Sequence, residues 1–217
     1  MEVFDVMAEL PKVCRYIDMP LQHANNAVLK RMRRQITREE TIQLVEEARR
    51  RVPGITFRTT LLVGYPGETE EEFQDMVDFV REVEFERVGV FQYSHEENTI
   101  AHDQVDDVPA EVKAQRAADI MEVQADISWN HNLAKIGQTF RVLFDRVEGE
   151  FFVGRTEFDS PEVDNEVLVK TADNFVRLGD FAEIEIIDAT EYDLYGKVVK
   201  ATSVDKKSSS KIVDQKA

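Results

Sequence analysis

The chain has 217 residues, 42% of them hydrophobic, with a net charge of −16 and one cysteine, Cys14. That apolar share supports a buried core and excludes wholesale disorder. A single cysteine excludes an intramolecular disulfide, and also a cysteine-ligated zinc or iron–sulfur site built from this chain alone. Cys14 reads as a small buried hydrophobe beside a strand. No apolar run approaches the ~20 residues that cross a bilayer. The first twenty residues lack a basic segment followed by an apolar one, so no signal peptide is read and a cytoplasmic location is expected.

In chain order, residues 15–21 (RYIDMPL) predict a short strand and residues 25–34 (NNAVLKRMRR) a helix with Val28, Leu29 and Met32 on one face. Thr37 and Glu40 form a capping box, and the helix it opens runs to about Arg51, where Pro53-Gly54 ends it. Residues 56–63 (TFRTTLLV) are β-branched and apolar, a strand. The loop GYPGET follows, then an amphipathic helix over 70–84 carrying Phe73, Met76, Val77 and Val80, then a strand over 87–93. Strand, helix, strand, helix, strand is the signature of a parallel α/β sheet or barrel, with right-handed crossovers placing the helices on one face. After a polar loop over 95–108, Pro109 opens a long helix that Gly137 stops.

From Gln138 the pattern changes to five short strand-like runs separated by turn residues, which predicts a small closed β-barrel. The expected fold class is therefore a partial (β/α) barrel followed by a small all-β barrel. The division is residues 1–135, 136–200, and a polar, Ser/Lys-rich tail over 201–217 expected to be disordered. Residues 136–199 carry 15 acids against 6 bases, a balance of −9. A surface that binds RNA phosphates calls for the opposite sign, so this segment fits a basic partner better.

In parallel barrels the active face lies at the C-terminal ends of the strands. Three polar loops sit there: residues 22–26 (QHANN), 64–69 (GYPGET) and 94–98 (SHEEN). In the strand over 56–63, Phe57, Thr59, Leu61 and Val63 point one way, and Thr56, Arg58, Thr60 and Leu62 the other. With the apolar set facing the outer helices, Arg58 points inward and needs an anion. A ligand carboxylate and an ion pair with Asp18 both satisfy it. Gln22 falls on the same side as Asp18 and has the reach to hydrogen-bond a ligand. His23 admits a base or metal-ligand role, but a histidine at a strand end more often makes an ordinary hydrogen bond. His95, His102 and His131 show no metal spacing, and no metal site is expected. The GYPGET loop either presents backbone N–H groups to a ligand or is only a tight connection.

The stretches YIDMPLQH, FRTTLLVGYPGETEEEF and VGVFQYS resemble the later strands of the radical-SAM barrel in methylthiotransferases. GRTEFDSPEVDNEVLV followed by YDLYGKVV resembles the TRAM β-barrel that ends these enzymes. The second stretch is most similar to the RimO-type branch, which modifies ribosomal protein S12, rather than the tRNA-modifying MiaB-type branch. The resemblance covers nearly all of residues 2–199 and implies the C-terminal part of such an enzyme. It implies S-adenosylmethionine and [4Fe–4S] clusters as cofactors of the full-length enzyme, with a methylthio group transferred to the β-carbon of an S12 aspartate. By the same analogy Gln22, Arg58 and Thr60 line the S-adenosylmethionine or substrate side of the barrel, while catalytic residues stay unassigned. The CxxxCxxC motif that would hold the radical-generating cluster is absent from this sequence. The chain alone is therefore expected to hold no cluster and to be inactive. The implied partner is basic protein S12, docked on the acidic TRAM segment; tRNA fits that segment less well, and no membrane is implied. A tRNA methylthiotransferase fragment and a non-catalytic protein-binding module are the alternatives.

Overall fold

The computed structural model describes residues 2–97, 99–172 and 174–201. The first unit holds α1 (Glu2–Glu9), β1 (Tyr16–Asp18), α2 (Asn26–Arg31), α3 (Arg38–Arg51), β2 (Thr56–Val63), α4 (Glu70–Val83) and β3 (Arg87–Gln92). The strands form a parallel sheet in the order β1-β2-β3, with Asp18 beside Arg58 and Thr60 beside Gly89. Both crossover helices begin with a complete capping box, Thr37 with Glu40 on α3 and Thr69 with Glu72 on α4. Each box satisfies two N–H groups that the first helical turn leaves open.

One face of the sheet is dry. Phe57, Leu61 and Val63 of β2 pack against Val45 and Ala48 of α3 and Met76, Phe79 and Val80 of α4, all buried. The other face is only half covered: Arg58, Thr60 and Leu62 are intermediate, and Phe91 of β3 is 59% exposed. This is the alternation read from the sequence, with the outer helices taking the apolar set.

Two expectations need correction, and one element is new. The first strand is three residues long rather than seven, because Pro20 has no N–H for the ladder. The chain rejoins β2 only at Gln22, whose N–H donates to the Thr60 carbonyl and whose carbonyl accepts from the Leu62 N–H. Cys14 is exposed, not buried, because it precedes β1 in the connection from α1. That leading helix was not anticipated; Phe4 and Met7 bury one side of it against the main core.

After a short 3-10 turn (Ile100–Asp103), α5 (Ala110–Leu133) runs to the second unit. There β4 (Thr139–Glu148), β5 (Phe151–Arg155), β6 (Glu166–Lys170), β7 (Phe181–Ala189) and β8 (Asp193–Ala201) close into a barrel in the order β4-β5-β6-β8-β7. Val142, Phe144, Val167, Val169, Ile184, Ile186 and Leu194 fill it. Gly196 of β8 is needed where that strand passes β7, since a Cβ there would stand 2.2 Å from Ile184 Cγ2. The tail expected to be disordered lies, after Ala201, outside the described residues, as does Asn98 of the third loop.

Candidate functional site

The half-open face of the sheet is the candidate site; Arg58 and Thr60 of β2 lie on it, and Gln22 stands beside β2, bridged to Leu61. Thr60 sits in mid-strand opposite Gly89, which leaves the space beside it open. Gln22 is held by its backbone against Thr60 and Leu62, with φ at 75°, so the turn after Pro20 fixes where its side chain leaves the chain. Arg58 lies nearer the N-terminal end of the strand. Its Nη1 donates to Asp18 at 2.7 Å, and its Nε stands 3.4 Å from Asp164 Oδ1. Burial disfavours the Arg58 charge, but Asp18 and Asp164 outweigh it and raise the guanidinium pKa. Of the two anions open to Arg58 in the sequence, the structure supplies Asp18, and it adds Asp164 from the distant barrel.

Asp164 belongs to the segment between β5 and β6, which lies across the N-terminal ends of the parallel strands. The Tyr16 hydroxyl donates to Asp164 Oδ2 at 2.6 Å, and the Ser160 N–H donates to the same oxygen at 2.8 Å. Burial, then this hydrogen bond, push the Tyr16 hydroxyl pKa well up. In the same segment Asp159 accepts from Arg87 Nη2 at 2.9 Å, both side chains being almost completely buried. A cavity of about 320 Å³ remains there, lined by Arg58, Gln124, Ser128, Asp164, Tyr192 and Asp193 among others.

The opposite, C-terminal end of the strands is closed by its own loops. Glu68 of GYPGET is buried, and its carboxylate accepts from the Gly64 N–H at 3.1 and 3.0 Å and from Arg116 Nη1 at 2.7 Å. The Gly67 N–H donates to Asp107 at 2.7 Å. These N–H groups are therefore engaged by the chain's own carboxylates, and the loop is a tight connection rather than a cradle. Gly64 is required twice: its φ is +73°, and a Cβ would meet Lys113 Cγ at 2.3 Å. The Lys113 ammonium binds Asp106 at 2.6 Å and the Tyr93 carbonyl at 3.3 Å, fixing that side chain.

His23 makes an ordinary structural bond: its Nδ1 accepts from the Asn25 N–H at 3.0 Å. Its proton is thereby assigned to Nε2, which lies 3.3 Å from Glu68 Oε2 at an angle too poor for a hydrogen bond. His95 and His102 stack at 4.3 Å between ring centroids. Among the described residues no three His, Cys, Asp or Glu side chains converge as a metal site would need.

Reading the sequence missed the α5 partners. Lys113, Arg116, Gln124, Ser128 and Asn132 are buried polar residues along that helix. They reach Asp106, Glu68, the Phe85 carbonyl, the Glu191 carbonyl and the Thr190 carbonyl in turn. The signal was a stripe at helical spacing: with buried Ile120 between Arg116 and Gln124, these positions recur every three or four residues, which ordinarily marks a buried face.

Residues 1–80 match the model of the radical SAM superfamily, and residues 136–199 match that of the TRAM domain. The chain is 56% identical over 197 residues to the ribosomal protein uS12 methylthiotransferase RimO of Flavobacterium psychrophilum, covering 91% of this chain and 46% of that protein. The protein of the same name from Cytophaga hutchinsonii is 54% identical over 200 residues, covering 92% and 46%. That from Bacteroides thetaiotaomicron is 48% identical over 199 residues, covering 91% and 46%. The chain spans about half the length of the curated relatives it matches. The donor set does not fit the cluster that the radical SAM resemblance implies: Cys14 is the sequence's one thiol, and a cysteine-ligated cluster needs several.

Proposed function

We propose, for a chain that shares the radical SAM superfamily and TRAM sequence of the RimO-type methylthiotransferases, that it is part of an enzyme that methylthiolates an aspartate of ribosomal protein S12. In this reading the β4–β8 barrel docks the basic substrate protein, and the half-open sheet face is one wall of the reaction chamber. Gln22 and Thr60 line that wall toward S-adenosylmethionine or substrate. Arg58 lines it lower down and is tied to Asp18 and Asp164, so its role is to position the wall.

The observation that carries the docking role is charge. Several of the 15 acids over 136–199 are matched within the chain: Asp159 and Asp164 by the parallel sheet, Glu148 and Glu166 by Arg146, Asp145 by Arg155 and Glu185 by Lys197. Glu150, Glu157, Glu162 and Asp188 are exposed and have no ion-pair partner among the described residues. They supply a surface that attracts a basic protein and repels phosphate.

The test is a titration of the chain with purified S12 and with tRNA at low and at moderate salt. S12 is expected to bind in a salt-sensitive way, and tRNA to be lost at moderate salt. Tight tRNA binding without S12 affinity would sink the reading.

A further inference from the structure

Residues 19–38 contain five basic residues, Lys30, Arg31, Arg33, Arg34 and Arg38, and no acid, in a chain whose net charge is −16. The first four occupy α2 and the turn after it, and Arg38 opens α3. Two are used internally: Arg31 forms a bidentate pair with Glu72 at 2.8 Å, and Arg38 binds Glu82 at 2.7 Å. Lys30, Arg33 and Arg34 are exposed, and no acid among the described residues approaches any of them within ion-pair range. Arg33 holds a left-handed backbone with φ at 58°, so the turn sends the chain back while keeping both arginines outside.

The patch is anchored at the C-terminal rim of the sheet. The Tyr65 hydroxyl, from the loop after β2, donates to the Arg31 carbonyl at 3.3 Å, and Arg31 Nη2 reaches the Gly67 carbonyl at 3.4 Å. In parallel barrels that rim borders the active face. The molecule thus carries an unpaired basic patch at one side of the rim, whose other loops bear the exposed acids Glu70, Glu96 and Asp107, and negative charge on the β4–β8 barrel. A partner complementary to both bears acidic and basic surface together.

We propose that Lys30, Arg33 and Arg34 form a phosphate-binding patch that holds RNA backbone beside the site, so that the substrate is presented as a ribonucleoprotein rather than as a free protein. Guanidinium pairs match phosphate oxygens in geometry as well as charge, and backbone contacts of this kind position a partner without reading its sequence. The choice of RNA over another polyanion rests on the ribosomal-protein reading above; the existence of the patch does not.

The experiment measures binding of a short labelled single-stranded oligouridylate by the full chain across a salt series. Three phosphate contacts give a slope of log affinity against log salt of about −2. The Lys30→Gln/Arg33→Gln/Arg34→Gln variant is expected to lose roughly tenfold or more in affinity at low salt, with a slope close to zero. Arg33→Lys/Arg34→Lys is expected to retain most of the binding, and circular dichroism to show all forms folded. Unchanged binding by the triple variant, or no binding by the parent chain, overturns the proposal. Equal affinity for polyglutamate or for anionic vesicles overturns the assignment to RNA. S12 affinity is measured in parallel: its absence, with the oligouridylate result as expected, removes the S12 reading and leaves the patch standing.

Discussion

Arg87 and Asp159 meet at 2.9 Å between the parallel sheet and the small barrel, 72 residues apart in sequence and both buried. Arg87 also donates to the Glu86 carbonyl at 2.7 Å, and the Thr156 hydroxyl donates to Asp159. A buried guanidinium with its carboxylate removed leaves an uncompensated charge. Asp159→Ala is therefore expected to destabilise by about 3 kcal/mol. Arg87→Met/Asp159→Leu removes both charges and is expected to cost much less. Urea unfolding followed by Trp129 fluorescence checks this; equal losses in the two variants would show that the loss does not come from a stranded Arg87 charge.

Gly64→Ala is expected to cost clearly more than Gly54→Ala. Both glycines have positive φ, +73° and +80°, so both substitutions carry the left-handed penalty of about 1–2 kcal/mol. A Cβ at Gly54 meets nothing within 4 Å, whereas at Gly64 it collides with the Lys113 stem. The difference in thermal midpoint between the two variants isolates the collision. Equal midpoints would contradict the close approach of α5 to the loop.

Lys135 gives a pH dependence. Burial first, and Arg87 second, lower its pKa from 10.5 to about 8. Between those values the unfolded chain holds the proton and the folded chain has released it, so this group's contribution to stability rises with pH from 8 to 10.5. It is complete above 10.5 and lost as pH falls through 8. Lys135→Met is expected to raise stability at neutral pH and to flatten that rise. The measurement is the difference between parent and variant denaturation midpoints across the window, in which other titrating groups cancel. A constant difference would rule out the lowered pKa.

Incubating the chain with iron and sulfide under reducing, anaerobic conditions is expected to give no stoichiometric cluster, because one thiol cannot hold a four-iron cluster. Iron and sulfide analysis with the visible absorption spectrum reports the result. A stable four-iron signal would mean that ligands other than cysteine suffice.

Much of the local structure is legible because its causes are local. The Thr37 box, the strand over Thr56–Val63 and the inward set of Arg58 and Thr60 follow from side-chain chemistry and periodicity within a few residues; the Thr69 box has the same local cause, though only the structure brought it out. The candidate wall is legible for the same reason, since alternation in one strand decides which residues share a face. Where Pro20 breaks the ladder, periodicity overruns, and only the bridge from Gln22 to Leu61 shows where the strand resumes.

The sequence by itself determined the order of elements after the leading helix, the change at Gln138 from helices to short strands, and the lack of a cluster-binding cysteine set. Tertiary structure alone decided how charge is spent. Alternation left Arg58 open to a ligand carboxylate or Asp18; in the fold it faces Asp18 and Asp164. Arg116 and Glu68 stand 48 residues apart yet form one buried pair that locks α5 onto the loop after β2. Composition counts such charges as equal, but whether a charge reaches a partner or solvent depends on which distant elements fold against it.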